Sequence, residues 1–169
     1  NLIINVGSGT TTTFTNMLAS TFTSGSDTVT INGSSGNEDI TGPNLASTII
    51  GGDGNDTILA GTANDTVDGG TGNDTLNGGS GTNTVSYSTA SGGVTVDLSN
   101  SAQQNTVGAG LDTISNFINL SGSSFDDTLT GTVNSNNIDA GNGNDIISGG
   151  DGADSLTGGL GDDVYRFNT

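Results

Sequence analysis

The residues of this chain that could do chemistry are carboxylates. Eighteen acids face a single base, Arg166, and histidine, cysteine and lysine are absent. The acids recur at a fixed spacing. From Gly51 to Asn77 the chain reads in nines: Gly51-Gly-Asp-Gly-Asn-Asp56-Thr-Ile58-Leu, Ala60-Gly-Thr-Ala-Asn-Asp65-Thr-Val67-Asp, Gly69-Gly-Thr-Gly-Asn-Asp74-Thr-Leu76-Asn. The first and third satisfy G-G-x-G-x-D-x-U-x throughout, U being a large apolar residue. The second keeps Asp65 and Val67 but carries alanine at two glycine positions. Glycines let the backbone turn tightly and leave carbonyls uncovered, and each aspartate adds a hard anionic oxygen. That mixture suits Ca²⁺, which takes about six to eight oxygen ligands in flexible geometry. The same inventory removes Ser-His-Asp chemistry, zinc proteolysis and cysteine nucleophiles. A glycosidase-type carboxylate pair is the one acid–base arrangement left, but the acids fall at the cation-binding period, so the chain reads as a non-enzyme.

Something must hold those carboxylates in line. The residues after each aspartate, such as Thr57-Ile58-Leu59, alternate as a short strand does and turn position eight inward once per repeat. One nonapeptide cannot close a coil, but two can. The expectation is therefore a solenoid in which turns stack in two columns, strands lie about 4.8 Å apart, and cations sit between one turn and its partner two repeats later. A flexible Gly/Asn/Asp linker has no reason to place an apolar residue at every ninth position.

The nonapeptides at 51 and 69 resemble the calcium-binding repeat of the RTX, or hemolysin-type, family. The resemblance implies an all-β fold, a right-handed parallel β-roll with two nonapeptides per coil, and several Ca²⁺ ions as cofactors. It also implies secretion from Gram-negative bacteria by the type I route, with folding deferred until calcium is met outside the cell. A secretion signal would lie beyond the last repeats.

In chain order, residues 1–32 are Thr-rich and read as a β-rich lead-in that caps the first coil, with a short helical turn starting at Met17-Leu18-Ala19. Residues 33–86 form a first block. Its opening repeats are degenerate: Glu38 replaces aspartate, and Ser47 leaves the next turn without an acid, so that repeat keeps Ile49 inside without binding metal. Asn83 ends the block in the aspartate position. Residues 87–106 leave the register and read as an irregular insertion, a wide coil or protruding loop, with Tyr87 at its edge and Val94-Thr-Val96-Asp-Leu98 as a strand. Residues 107–169 form a second block of one continuous solenoid, closed by a Tyr165 whose hydroxyl can reach water from a C-terminal cap.

Candidate metal ligands follow from pairing turns two repeats apart. Gly51, Asp53, Gly54 and Asp56 with Gly69, Thr71, Gly72 and Asp74 make the strongest pair. Gly141, Gly143 and Asp145 with Gly159, Gly161 and Asp163 come next, and Asp127 joins the repeat at 140. Gly150, Gly152 and Asp154 pair more weakly with neutral Asn136. Asp65 and Asp112 complete the set, the turn at 60 being a doubtful partner for that at 78. Asp27, Asp68, Asp97, Asp139 and Asp151 read as surface carboxylates.

Composition supports a metal-dependent chain. Apolar residues make up 29%, low against a usual share of about 45–50%, and low hydrophobicity with high net charge otherwise marks disorder. The formal charge of −17 opposes binding to nucleic acid and to anionic lipid without bridging Ca²⁺. No apolar run reaches the roughly 18 residues of a membrane span, so direct membrane insertion is not expected. No Sec-type signal is visible, and the chain reads as part of a larger parent polypeptide. The first functional reading is a calcium-binding module of a secreted protein at or outside the cell surface. The second is a calcium-dependent, self-associating subunit of a surface layer, adhesin or filament. The third, a polysaccharide-binding accessory module of an exoenzyme, has few aromatics to grip a sugar.

Overall fold

The computed structural model describes residues 2–13 and 29–167; the helical turn expected at Met17 and the surface placement of Asp27 lie outside them. The described residues contain strands and turns and no helix. One sheet carries eight parallel strands in stacking order: β1 (Leu2–Asn5), β3 (Val29–Ser34), β5 (Ser47–Asp53), β7 (Thr66–Thr71), β9 (Thr84–Ser86), β13 (Asn119–Ser121), β15 (Asn137–Asn142) and β17 (Ser155–Leu160). The facing wall is split. Its lower part stacks β2 (Thr11–Thr13), β4 (Asp39–Thr41), β6 (Thr57–Leu59), β8 (Thr75–Asn77) and β12 (Leu111–Ser115), with β11 (Gln104–Asn105) antiparallel to β12. Its upper part stacks β10 (Thr95–Asp97), β14 (Thr128–Thr132), β16 (Ile146–Gly150) and β18 (Val164–Arg166). The chain alternates between the walls, so the expected parallel β-roll is the observed fold.

Register follows from position eight. Ile31, Ile49, Val67 and Val85 stack on one wall and continue through Leu120 and Ile138. Ile40, Ile58, Leu76 and Ile114 face them, followed above the split by Val96, Leu129 and Ile147. All of these side chains are buried. A one-residue slip would turn every one of them outward, so the period of nine and the pleat together lock the stacking. Ile49 lies inside, as expected of a turn without an acid.

The insertion is built into the wall. Val94 and Val96 are buried, β10 pairs in parallel with β14, and Val94 meets Val107 in an isolated antiparallel bridge. The chain then doubles back through β11 to lay β12 on β8. Tyr87, expected at the edge, is 3% exposed and belongs to the core. The C-terminal coil is unlike the rest: Leu160, Val164 and Phe167 are exposed, and Tyr165 is 40% exposed while its hydroxyl accepts the Gly158 N–H at 2.8 Å.

Candidate metal centre

Each full turn needs glycine for two distinct reasons. The fourth position takes a left-handed backbone, φ +111° at Gly54 and +135° at Gly72, a region that side chains enter at a cost. The first position, Gly51, is not left-handed. A Cβ there would instead collide with Oδ2 of Asp56 and the carbonyl oxygen of Gly69. At Gly122 the same ghost atom would meet Oδ2 of Asp127 and the carbonyl of Ala140. A carboxylate oxygen and a carbonyl of the next coil thus converge beside the first residue of a turn.

The position-six side chains form ladders. The Glu38 N–H donates to Oδ1 of Asp56 at 2.7 Å, the Asp56 N–H to Oδ1 of Asp74 at 2.8 Å, and the Asp74 N–H to Oδ1 of Asp112 at 3.0 Å. On the other wall the Ser47 N–H donates to Asp65 and the Asp65 N–H to Oδ1 of Asn83. Val94 of the insertion donates its N–H to Oδ1 of Asp127, and in the second block the N–H groups of Asp127 and Asp145 donate to Oδ1 of Asp145 and Asp163, and that of Asn136 to Asp154. The donor always belongs to the earlier coil. Most steps span 18 residues, but Asp74 to Asp112 spans 38 and Val94 to Asp127 spans 33. The insertion therefore brings the turn at 107 onto that at 69, a pairing that a fixed spacing does not reveal.

Only one oxygen of several carboxylates is used. Oδ2 of Asp56, Asp65, Asp74 and Asp145 at position six, and of Asp68 at position nine, is buried and meets no hydrogen-bond donor. An unpartnered buried polar atom costs about 1–3 kcal/mol, and more when charged. Burial accordingly pushes the Asp56 carboxyl up to about 6, against the lowering effect of the Glu38 N–H and with help from the Glu38 charge. Asp74 rises to about 7, again through burial first, with the Asp112, Asp56 and Asp68 charges adding to it. Burial also raises Asp65, Asp112 and Asp145. No group of three acids that could hold a metal comes together among the described residues, so a bound cation must draw most of its ligands from main-chain carbonyls. Orphaned carboxylate oxygens beside uncovered carbonyls fit a hard, oxygen-seeking divalent ion.

Other turns satisfy themselves. The N–H and hydroxyl of Ser34 both donate to Glu38, those of Ser123 to Asp127, and those of Thr132 to Asn136. With Val94 also donating to it, Asp127 has both oxygens occupied, whereas Asp145 above it has one free. Asp112 receives the Tyr87 hydroxyl at 3.2 Å and the Thr106 hydroxyl at 3.0 Å on Oδ2. Of the remaining expected ligands, Asp53 accepts the Thr71 hydroxyl on the exposed side of the turn. Gly141, Gly143, Gly159 and Gly161 all lie in left-handed turns in the column of Asp145 and Asp163, as Gly150 and Gly152 do beside Asp154.

Asp68 corrects the sequence reading. It is 5% exposed, not a surface carboxylate. Its Oδ1 accepts the Gly70 N–H at 3.0 Å and the Thr89 hydroxyl at 2.9 Å, which ties the insertion to the coil beneath. The position-nine residue before a glycine pair was the available signal, since Asn77 caps Gly79 in the same way and Asx side chains commonly bond the backbone two residues on. Asp139 and Asp151 are exposed, as expected.

The family model of the RTX calcium-binding nonapeptide repeat matches residues 50–85, 119–146 and 130–165. No curated protein matches the chain. The matched residues include the turns of Asp56, Asp65, Asp74 and Asp145, where four of the five orphaned oxygens lie. Repeats of this type bind calcium, and their number here implies several ions. Residues 50–85 and 119–165 of this parallel β-roll are thus RTX calcium-binding nonapeptide repeats.

Proposed function

We propose that this chain is a calcium-operated folding module of a larger secreted protein, unfolded in the calcium-poor bacterial cytosol and folded outside the cell. The observation that carries this reading is the set of buried, unpartnered carboxylate oxygens at Asp56, Asp65, Asp74 and Asp145. With one buried apolar side chain of about 1.5–3 kcal/mol per nonapeptide, the balance between burial and backbone ordering leaves little to spare. An uncompensated buried carboxylate tips that balance toward the unfolded chain. A divalent ion supplies the missing positive charge and stabilises the folded form by mass action, about 2.7 kcal/mol per site at a hundredfold excess over Kd.

The residues that would hold the ions are Asp56 and Asp74 with carbonyls of the turns at 51 and 69, and Asp145 and Asp163 with those at 140 and 158. Asp65, Asp112, Asp127 and Asp154 with Asn136 line the same columns. The proposed role is structural and regulatory, not catalytic. The acidic charge and low apolar content support export as an unfolded chain. Circular dichroism tests the reading: the chain in chelator should give a coil spectrum, and millimolar CaCl₂ a β spectrum. A full β spectrum in chelator at neutral pH would refute it.

A second reading, assembly of copies into a surface layer or filament, is favoured by one feature. Among the described residues, Leu160, Val164 and Phe167 are exposed beside the edge strands β17 and β18, each paired on one side, and open strand edges invite pairing. Light scattering against calcium concentration separates the readings, since assembly gives calcium-dependent large particles and a self-contained module a compact monomer.

A further inference from the structure

The turn Gly78–Asn83 has the glycines of a full calcium repeat but an asparagine in the acid position. Asn83 is completely buried. Its Oδ1 accepts the Asp65 N–H at 2.9 Å, the same bond that aspartates make elsewhere in the ladders. Its nitrogen lies 2.6 Å from the Gly78 carbonyl oxygen, 3.3 Å from that of Ser80 and 3.5 Å from that of Asn116. A donor on one side and three acceptors on the other fix the orientation of the carboxamide. A Cβ built on Gly78 would meet this nitrogen and the Asn116 carbonyl. At Gly51 the corresponding atoms are Oδ2 of Asp56 and the carbonyl of Gly69. An N–H donor thus stands where the aspartate turns place an anionic oxygen.

We propose that the Asn83 carboxamide serves the carbonyls a cation would otherwise serve, so that this turn closes without metal and interrupts the ion column of its wall. The neighbouring coil supplies the reason. Between β12 and β13 the chain has only Asn116-Phe-Ile118 in place of a full turn, with no acid. Asn116 is left-handed, φ +60°, and anchors its own side chain on Asn77. This conformation is tolerated by asparagine better than by most residues. That shortened coil offers the carbonyl of Asn116 and no carboxylate, so the anionic oxygen for a cation could come only from position 83 itself, where asparagine supplies an amide that needs only acceptors.

The inference rests on calcium binding by the other turns, and the test separates the two. Native mass spectrometry of the full chain in calcium should count n ions on the wild type and n + 1 on Asn83→Asp, which restores the anionic oxygen. Zero ions on the wild type would overturn the calcium reading itself. With n above zero, a count of n on Asn83→Asp overturns the role of Asn83. Should that variant not fold, hydrogen exchange of the wild type decides. The Asn83 carboxamide protons should exchange on the order of a hundredfold slower than in an unfolded chain, and unprotected protons would overturn the proposal.

Discussion

The backbone N–H of Asp56 donates to Oδ1 of Asp74 at 2.8 Å, while Oδ2 of both carboxylates meets no donor. One aspartate oxygen therefore joins two coils through the backbone, and the other is left for a cation.

Asp74 lies between two neighbours, Asp56 below and Asp112 above, and its replacement should be felt at both. Asp74→Asn keeps an oxygen for the Asp56 N–H but removes the charge. It should still fold in saturating calcium, with a midpoint at least about tenfold higher, a loss of about 1.4 kcal/mol. Asp74→Ala also strands a buried N–H, a further cost of about 1–3 kcal/mol. Asp139→Asn, at an exposed strand position, should leave the midpoint unchanged. Calcium titration followed by circular dichroism ranks the three, and equal midpoints would mean that the position-six carboxylates are not ligands.

Protons should partly replace the metal. The folded-state values of about 6 for Asp56 and about 7 for Asp74 lie above the ordinary carboxylate value of 3.8. The folded chain then binds more protons than the unfolded one between those limits, so metal-free stability is greatest near pH 4 and falls as pH rises to 7. In chelator, β signal should be stronger at pH 4.5 than at pH 7.5. In calcium the order reverses, because protons compete for the same oxygens and affinity falls below about pH 7. A metal-free chain that gains structure on going from acid to neutral pH would contradict this sign.

Two glycines of the repeat should fail for different reasons but to a similar extent. Gly72→Ala forces a side chain into a left-handed backbone whose Cβ would also strike the Gly54 carbonyl. Gly51→Ala has no such backbone constraint, yet its methyl would displace the Asp56 carboxylate from the Gly69 carbonyl. Each should cost at least about 2 kcal/mol in calcium, read as a shift in the urea midpoint. A neutral Gly51→Ala would show that the space beside it is not needed.

Tyr87→Phe removes one of the two hydroxyls on Oδ2 of Asp112. Loss of a hydrogen bond to a charged group costs about 1.5–3 kcal/mol. The variant should unfold at lower urea with a spectrum otherwise unchanged. An unaffected midpoint would mean that Thr106 alone satisfies that oxygen.

The parts of this molecule that repeat were legible in its sequence. Ile58, Val67 and Leu76 announced the pleat and the core, and Asp56, Asp74 and Asp145 announced the columns. What escaped was carried by residues outside the period. The stacking of Asp112 on Asp74 depends on a 38-residue excursion, and no count of nines predicts where it returns. Asp68 read as a surface acid because its cover, Thr89, comes from the same excursion. The self-satisfied turns depend on a hydroxyl at position two, as at Ser34, Ser123 and Thr132, a feature that the spacing of acids does not weigh.

The one-way bonding of the ladders makes the two ends of the roll chemically unlike. Each coil receives from its successor the carboxylate that caps its own main-chain amide. Among the described residues the ladders run as far as Asp154 and Asp163, which cap the amides of Asn136 and Asp145. A polymer of this fold would have to be polar, one molecule's leading coil lending acceptors to another's trailing coil. Such a contact is heterologous and does not close on itself, so the same hydrogen bonds that order a single roll would dictate the direction of a fibre.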